Sequence, residues 1–443
     1  MFKAAMILAA TSVIPPGLSA ADAPPPVKVV RHELPNGLKV LLSQDHSRPV
    51  INLQVWYHVG SKNEQAGRTG FAHLFEHLMF RGSKNVGPEE HMRLVREAGG
   101  EVNAYTSFDV TVYWETAPSN YLERMLWLEA DRLASLDVSQ ENFTKEREVV
   151  KEERRMRFEN PPYGNLLIDV LENAYQKYPY KHPPIGSMED LNKASIEDVR
   201  AFHAVYYVPN NATLVLVGDF DAKEAVGWIT KYFGGIPEGK PIPKVTATEP
   251  AQTKHVELTK TYPSAPLDAV VSAYKLPPMT NPDRYALEIA AAILSDGESS
   301  RLYRRLVYDE QSAVAASGEG FFLEGPSLFF GMAVANQGKN IKEVTSSFQM
   351  VLEQMRTKPV TDEELARAKN KMLAGAITGR QTMQSKADAI GRAAVMMGDA
   401  GLVNTEIENY RKVTAADIQR VMQKYIMPGN ETRIFIHPGG RQQ

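Results

Sequence analysis

The chain repeats itself. Ser195-Ile196-Glu197-Asp198-Val199, followed by Tyr206, Pro209, Asn211 and Thr213, returns 219 positions later as Thr414-Ala415-Ala416-Asp417-Ile418, followed by Tyr425, Pro428, Asn430 and Thr432. Five positions, Asp198, Tyr206, Pro209, Asn211 and Thr213, match Asp417, Tyr425, Pro428, Asn430 and Thr432 without a gap, where chance supplies one or two. In each copy a Ser or Thr stands where a helix start needs a side-chain oxygen for its free amides. A Pro-Asn or Pro-Gly turn then ends the helix, and a β-rich run follows, Leu214 to Asp219 or Arg433 to Pro438. Such a chain folds as two similar halves. The glycine- and proline-rich stretch 234–243 breaks regular structure between them, which predicts an N-terminal domain over 29–233, a linker over 234–251 and a C-terminal domain over 252–439. Each half mixes strand-like alternation, as in 50–59, with amphipathic helical periodicity, as in 283–294. The predicted class is therefore α+β, helices packed on a mostly antiparallel sheet in each half.

The chemistry is concentrated at Gly70-Phe71-Ala72-His73-Leu74-Phe75-Glu76-His77-Leu78. Residues three and four apart share one face of a helix, so His73 and His77 reach one cation while Glu76 points toward the same space. This HxxEH order is the inverted zincin signature. A catalytic zinc takes three protein ligands plus water, so a third donor has to come from elsewhere. With no cysteine in the chain, that donor is His, Asp or Glu. The charged helical stretch 146–155 offers several glutamates. Glu146, Val149, Val150 and Glu153 recur at helical spacing, which predicts Glu146 and Glu153 on one side beside buried valines and Glu148 and Glu152 turned away; Val149, Val150 and Met156 are the apolar positions expected to face a core. A pair of buried carboxylates makes sense beside a cation. Shifting His73 and His77 by the repeat offset lands on Ala292 and Asp296, so the second copy lacks the imidazoles.

These motifs, in this order, resemble the M16-type zinc peptidases, the family of mitochondrial processing peptidase, insulin-degrading enzyme and pitrilysin. The resemblance runs from about Val29 to the C-terminus and includes the runs Tyr57 to Gly70, Asn103 to Trp114 and Tyr206 to Asp221. It implies that Glu153, second glutamate of an E-x6-E pair, is the third zinc ligand, with Glu146 in support of the site. Asn103 and Ala104 match the family's substrate-binding edge strand. It also implies that one half carries Zn2+ and the other closes over the substrate, the chain as a whole forming half of a clamshell.

One family feature is missing. Self-sufficient members present an arginine and a tyrosine seven positions apart in the second half, and the matching positions after Ser300-Arg301-Leu302-Tyr303-Arg304-Arg305-Leu306 are Val307 and Val314, without side-chain donors. A register shift onto Arg304, Arg305 or Tyr308 is the rival alignment. Loss of an oxyanion donor costs on the order of 100-fold or more in rate, so the expectation is a heterodimer whose related partner lacks HxxEH and supplies Arg and Tyr. The remaining histidines, among them His32, His58, His91, His182, His203 and His437, show no ligand spacing and are expected to be structural or surface groups.

A length of 443 residues allows two to four domains at ~100–200 residues each. Net charge of −3 with 23% charged residues gives no electrostatic case for nucleic acid. Met1-Phe2-Lys3, the apolar run Ala4 to Ile14 and the small residues Ser19-Ala20-Ala21 read as a secretory signal over 1–21, cleaved near Ala20 or Ala21. The apolar run is shorter than the ~20 residues a spanning helix needs. The expected address is the periplasm, with secretion beyond it as the alternative. The expected activity is zinc-dependent endopeptidase or oligopeptidase hydrolysis of peptides in the cell envelope. The alternative is a non-catalytic peptide-binding or assembly subunit.

Overall fold

Two sheets with the same strand order organise the chain. The computed structural model describes residues 25–439; the expected signal segment lies outside them. The first half contributes β1 (Val30–Glu33), β2 (Lys39–Gln44), β3 (Val50–Tyr57), β4 (Glu101–Thr106), β5 (Thr111–Pro118) and β6 (Ala212–Gly218). The second contributes β7 (Val256–Tyr262), β8 (Ala269–Leu276), β9 (Ala313–Phe321), β10 (Ser327–Ala335) and β11 (Glu431–Pro438). The sheets run β1-β2-β6-β3-β5-β4 and β7-β11-β8-β10-β9. Apart from the extra β1 the orders superimpose, each with one parallel pair, β2 with β6 and β7 with β11, and antiparallel pairing elsewhere.

The helices are α1 (Phe71–Leu78), α2 (Glu90–Glu97), α3 (Leu122–Ser135), α4 (Gln140–Arg154), α5 (Leu166–Ala174), α6 (Met188–Lys193), α7 (Ile196–Tyr206) and α8 (Ala222–Phe233), then α9 (Asp283–Ser295), α10 (Ile341–Thr357), α11 (Asp362–Thr378), α12 (Met383–Val395), α13 (Glu406–Lys412) and α14 (Ala415–Tyr425). The repeated residues have repeated jobs. Ser195 with Asp198, and Thr414 with Asp417, form reciprocal caps at the starts of α7 and α14. The amide of Asn211 donates to the Tyr206 carbonyl at 2.8 Å, and that of Asn430 to the Tyr425 carbonyl at 2.7 Å, so each asparagine closes the end of its helix before the strand begins.

Both faces of each sheet are covered. On one face of the first sheet, Ile51, Leu53, Val55, Leu214 and Leu216 pack with Leu74, Phe75 and Leu78 of α1 and Leu126 of α3. On the corresponding face of the second, Val270 and Tyr274 meet Ile289, Ile293, Phe348 and Val421. The opposite faces are closed by an exchange. Leu166, Val170, Leu171 and Ala174 of α5, from the first half, cover Ala269, Val271, Ala273, Ile434 and Ile436 of the second sheet. Met383, Ala387, Ile390 and Ala393 of α12, from the second half, cover Trp56, Val112, Val215 and Val217 of the first. Full burial of an aliphatic side chain is worth about 1.5–3 kcal/mol, so the exchange holds the halves together. Gly391 permits the close approach of α12: a Cβ there would lie 2.2 Å from the Trp56 indole.

Charge also fixes α12. Lys386 pairs with Asp45, and Asp388 accepts from the Gln54 amide at 2.9 Å. The Lys386 ammonium and the Ser47 hydroxyl hold the Asp45 carboxyl down to about 2 from its ordinary 3.8. A lowered folded-state pKa stabilises above the ordinary value and is lost as pH falls through the folded one. Acid unfolding followed by circular dichroism from pH 4 to about 2 is therefore expected to be less steep in Lys386→Met than in the unaltered chain; equal slopes remove this pair from the acid response.

The stretch 234–251 has no regular structure, yet it is tied down near its end: the Glu249 carboxylate accepts the amides of Gln176, Lys177 and Tyr178, each at 2.9 Å, and pairs with Lys275.

Candidate metal centre

Helix α1 is held at both ends. At its start Gly70 adopts φ +95°, and neighbouring Gly186 approaches so closely that a Cβ on it would lie 2.5 Å from the Gly70 amide nitrogen. The buried Glu64 carboxylate accepts the amides of Gly70 and Ala72, both at 2.8 Å, in place of a side-chain cap. Burial drives that carboxyl up to about 8, against the pull of those amides. From below, the Tyr113 hydroxyl donates to the Phe75 carbonyl at 3.1 Å.

So placed, α1 turns His73 and His77 toward α4. Their ring centroids are 4.9 Å apart. Glu153 Oε2 lies 3.3 Å from His77 Nε2 and 3.7 Å from His73 Nε2. The three donors all fall within 4.8 Å of one another, spacing that fits a single cation. Glu146, only 2% exposed, accepts on one oxygen from His77 Nδ1 at 3.1 Å and is paired through the other with Arg81. That contact holds a proton on Nδ1 and directs Nε2 toward Glu153, the way a carboxylate commonly orients a histidine beside a metal. The electrostatics fit a cation as well. Burial drives His73 down to about 4, leaving it neutral, while His77 rises to about 9 because Glu146 and Glu153 outweigh its burial. The glutamates themselves stay ionised despite burial, held low chiefly by His77. Two nitrogens and one carboxylate oxygen are a donor set that zinc accepts. Glu76, one residue before His77, has its carboxyl pushed up by burial, with the Thr106 hydroxyl opposing.

Asn103 and Ala104 stand on β4, the terminal strand of its sheet, paired to β5 alone. The Asn103 side chain accepts the Ala104 amide at 2.9 Å. Glu148 and Glu152 are turned to solvent, as their helical phase predicts. Two apolar expectations fail. Val150 is buried, but Val149 is 45% and Met156 64% exposed. Val149 lies about 100° around the helix from Val150 and faces out, and beyond Arg154 the helix widens into a π turn over Arg155–Glu159 that changes the phase carrying Met156.

The second half supplies no counterpart. Ala292 is on α9 and Asp296, just past its end, pairs with Lys371. Val307 is half-buried against the second core, and Val314 is exposed on the terminal strand β9. Of the rival donors, Arg305 pairs with Glu310, and Arg304 lies over the Tyr308 ring at 5.8 Å.

His91, which shows no ligand spacing in the sequence, stands in a buried cluster that has such spacing in three dimensions. It meets Glu115 of β5 and Glu129 of α3 in a fully buried group, the other set among the described residues with metal-ligand spacing. Nothing in the spacing of 91, 115 and 129 signals this, because the three come from separate elements. Arg132 already fills the role of cation: it grips Glu129 through two nitrogens, one at 2.9 Å, and lies under the Tyr113 ring, 4.5 Å from its centroid.

Comparison with known families settles the kinship. Residues 39–187 match the family model described as Insulinase (Peptidase family M16), and residues 193–372 match Peptidase M16 inactive domain. The chain belongs to peptidase family M16, a family of metallopeptidases. It is 31% identical to Zinc protease PqqE of Helicobacter pylori over 414 residues, which cover 92% of this chain and 93% of the relative. A second relative, Uncharacterized zinc protease YmxG of Bacillus subtilis, is 24% identical over 417 residues, 93% of this chain and 99% of YmxG. Among solved structures, a protease from Helicobacter pylori matches with a TM-score of 0.89 at 30% identity, covering 93% of this chain and 100% of that one. The fold also matches the periplasmic protease PqqL of Escherichia coli, TM-score 0.75 at 18% identity, with 93% of this M16 chain covered and 48% of PqqL.

Proposed function

We propose that this M16 peptidase binds Zn2+ through His73, His77 and Glu153 and hydrolyses peptides in the cell envelope as the metal-bearing subunit of a heterodimer. The observation that carries the reading is the convergence of two imidazole nitrogens and one carboxylate oxygen, with Glu146 fixing the tautomer of His77. When bound, zinc supplies a Lewis acid that lowers the pKa of water from ~15.7 toward ~7. Glu76 takes the proton of the attacking water and returns it to the leaving amine, a task suited to a carboxyl that burial has made more basic. Asn103 and Ala104, on a terminal strand, align an extended peptide by adding it to the sheet. Recognition of the backbone in this way leaves side-chain preference loose.

Three observations support the paired assembly and the address. Val307 and Val314 bring no donor where family members carry Arg and Tyr. The PqqL chain is about twice as long as the part this chain matches, so it has room for a second such unit. The run over 1–21 supports export. The test is metal content and peptide cleavage for the purified chain, alone and mixed with a related chain that lacks HxxEH but carries Arg and Tyr. The expected result is one zinc per chain and cleavage at least about 100-fold faster in the mixture. Full activity of the chain alone removes the partner from the reading, and absence of bound zinc removes the metal centre.

A further inference from the structure

Glu153 uses only one of its oxygens toward the imidazoles. Oε2 faces His73 and His77, while Oε1 is held by Arg157 Nη1 at 2.6 Å. Three arginines follow Glu153, and they point three ways: Arg154 donates to the Gly186 carbonyl at 3.0 Å and pairs with Glu159, Arg155 pairs with Glu152 at 2.9 Å, and Arg157 alone of the three turns back to Glu153. The π turn at Arg155–Glu159 carries Arg157 there, four residues on from Glu153. The ion pair is not an ordinary solvated one, because the Glu153 side chain is only 16% exposed although that of Arg157 is 48% exposed.

We propose that Arg157 is a positioning residue that restricts Glu153 to a single-oxygen donor and thereby keeps a coordination position open for water. The inference rests on the reading of His73, His77 and Glu153 as a metal centre. A carboxylate can offer one oxygen or both to a cation. With two imidazoles and one oxygen bound, a tetrahedral ion retains a fourth position for the reacting water; a second carboxylate oxygen competes for it. The guanidinium engages Oε1 as an ion pair and removes that competitor. Glu146, two turns earlier on the same side of α4 and itself paired with Arg81, does the equivalent for His77 by fixing which imidazole nitrogen faces inward.

The test is Co2+ titration of the full-length chain, read by visible absorption, for the unaltered protein, Arg157→Ala and Arg157→Lys, with peptide kinetics in the assembled enzyme alongside. Four-coordinate Co2+ absorbs strongly and five-coordinate Co2+ weakly. The unaltered chain is expected to give the strong band, R157A a clearly weaker one with Co2+ still bound, and R157K an intermediate band. R157A is expected to lose about 10–100-fold in kcat with KM little changed. A merely structural role for Arg157 predicts no change in the band of the folded variant. An unchanged spectrum in R157A overturns the inference. So does complete loss of metal by folded R157A, which would make Arg157 necessary for forming the site rather than for limiting its ligand. Failure of the unaltered chain to take up Co2+ strikes instead at the metal-centre reading itself.

Discussion

Glu76→Gln is expected to retain a full complement of zinc and to lower kcat about 10²–10⁴-fold in the assembled enzyme. Glu76 is not among the three converging donors, so the metal has no need of it. The amide has the volume and polarity of the carboxyl but cannot accept and return a proton. Zinc per chain by elemental analysis, paired with kcat on a peptide, separates the two effects. A variant with the rate of the unaltered enzyme takes the proton-transfer role away from Glu76, and a variant that loses its zinc makes Glu76 a ligand.

Arg132→Met is expected to destabilise the protein by about 3–5 kcal/mol, the cost of removing one partner from a buried ion pair. Arg132 and Glu129 are each about 1% exposed, and the neighbouring Glu115 and His91 are 0% and 4% exposed. Burial pushes both Glu115 and Glu129 up to about 7 and drives His91 down to about 3, so the group favours neutral forms and tolerates little unbalanced charge. Without the guanidinium, Glu129 must either be buried as an anion or take up a proton. The double variant Arg132→Met with Glu129→Gln is expected to recover part of the loss, since it removes the orphaned charge. Urea unfolding gives both numbers. A loss below about 1 kcal/mol for the single variant would mean that Arg132 does not balance the group. Because Arg132 lies under Tyr113, whose hydroxyl holds the Phe75 carbonyl in α1, some loss of metal affinity should accompany the loss of stability.

Much of this molecule is legible from spacing. His73, Glu76 and His77 are near neighbours on one short helix, and the i, i+3, i+4 rule places their side chains without reference to any other element. Glu146 and Glu153 are seven apart, two turns of α4, and therefore also share a side. The repeat is equally legible, because its recurring residues are caps and turn formers whose hydrogen bonds are local: Asp198 to Ser195, Asn211 to Tyr206, and their copies. What spacing handles poorly is the boundary of a face. Val149 and Val150 differ by one position and have opposite fates, and Met156 is displaced by a π turn that nothing in its own composition announces.

The sequence by itself determined which helix carries the imidazoles, which half lacks them, and that the chain is a doubled α+β architecture, since each of these depends on contacts within a few turns of chain or on a fixed offset. Tertiary structure alone decided that α5 and α12 change places, that His91 joins Glu115, Glu129 and Arg132, and that Arg157 rather than Arg154 or Arg155 meets Glu153. The physical reason is the same in each case. Burial selects a partner by where elements come to rest, and an amphipathic helix or a charged side chain fits several surfaces equally well until the sheets beneath it are in place.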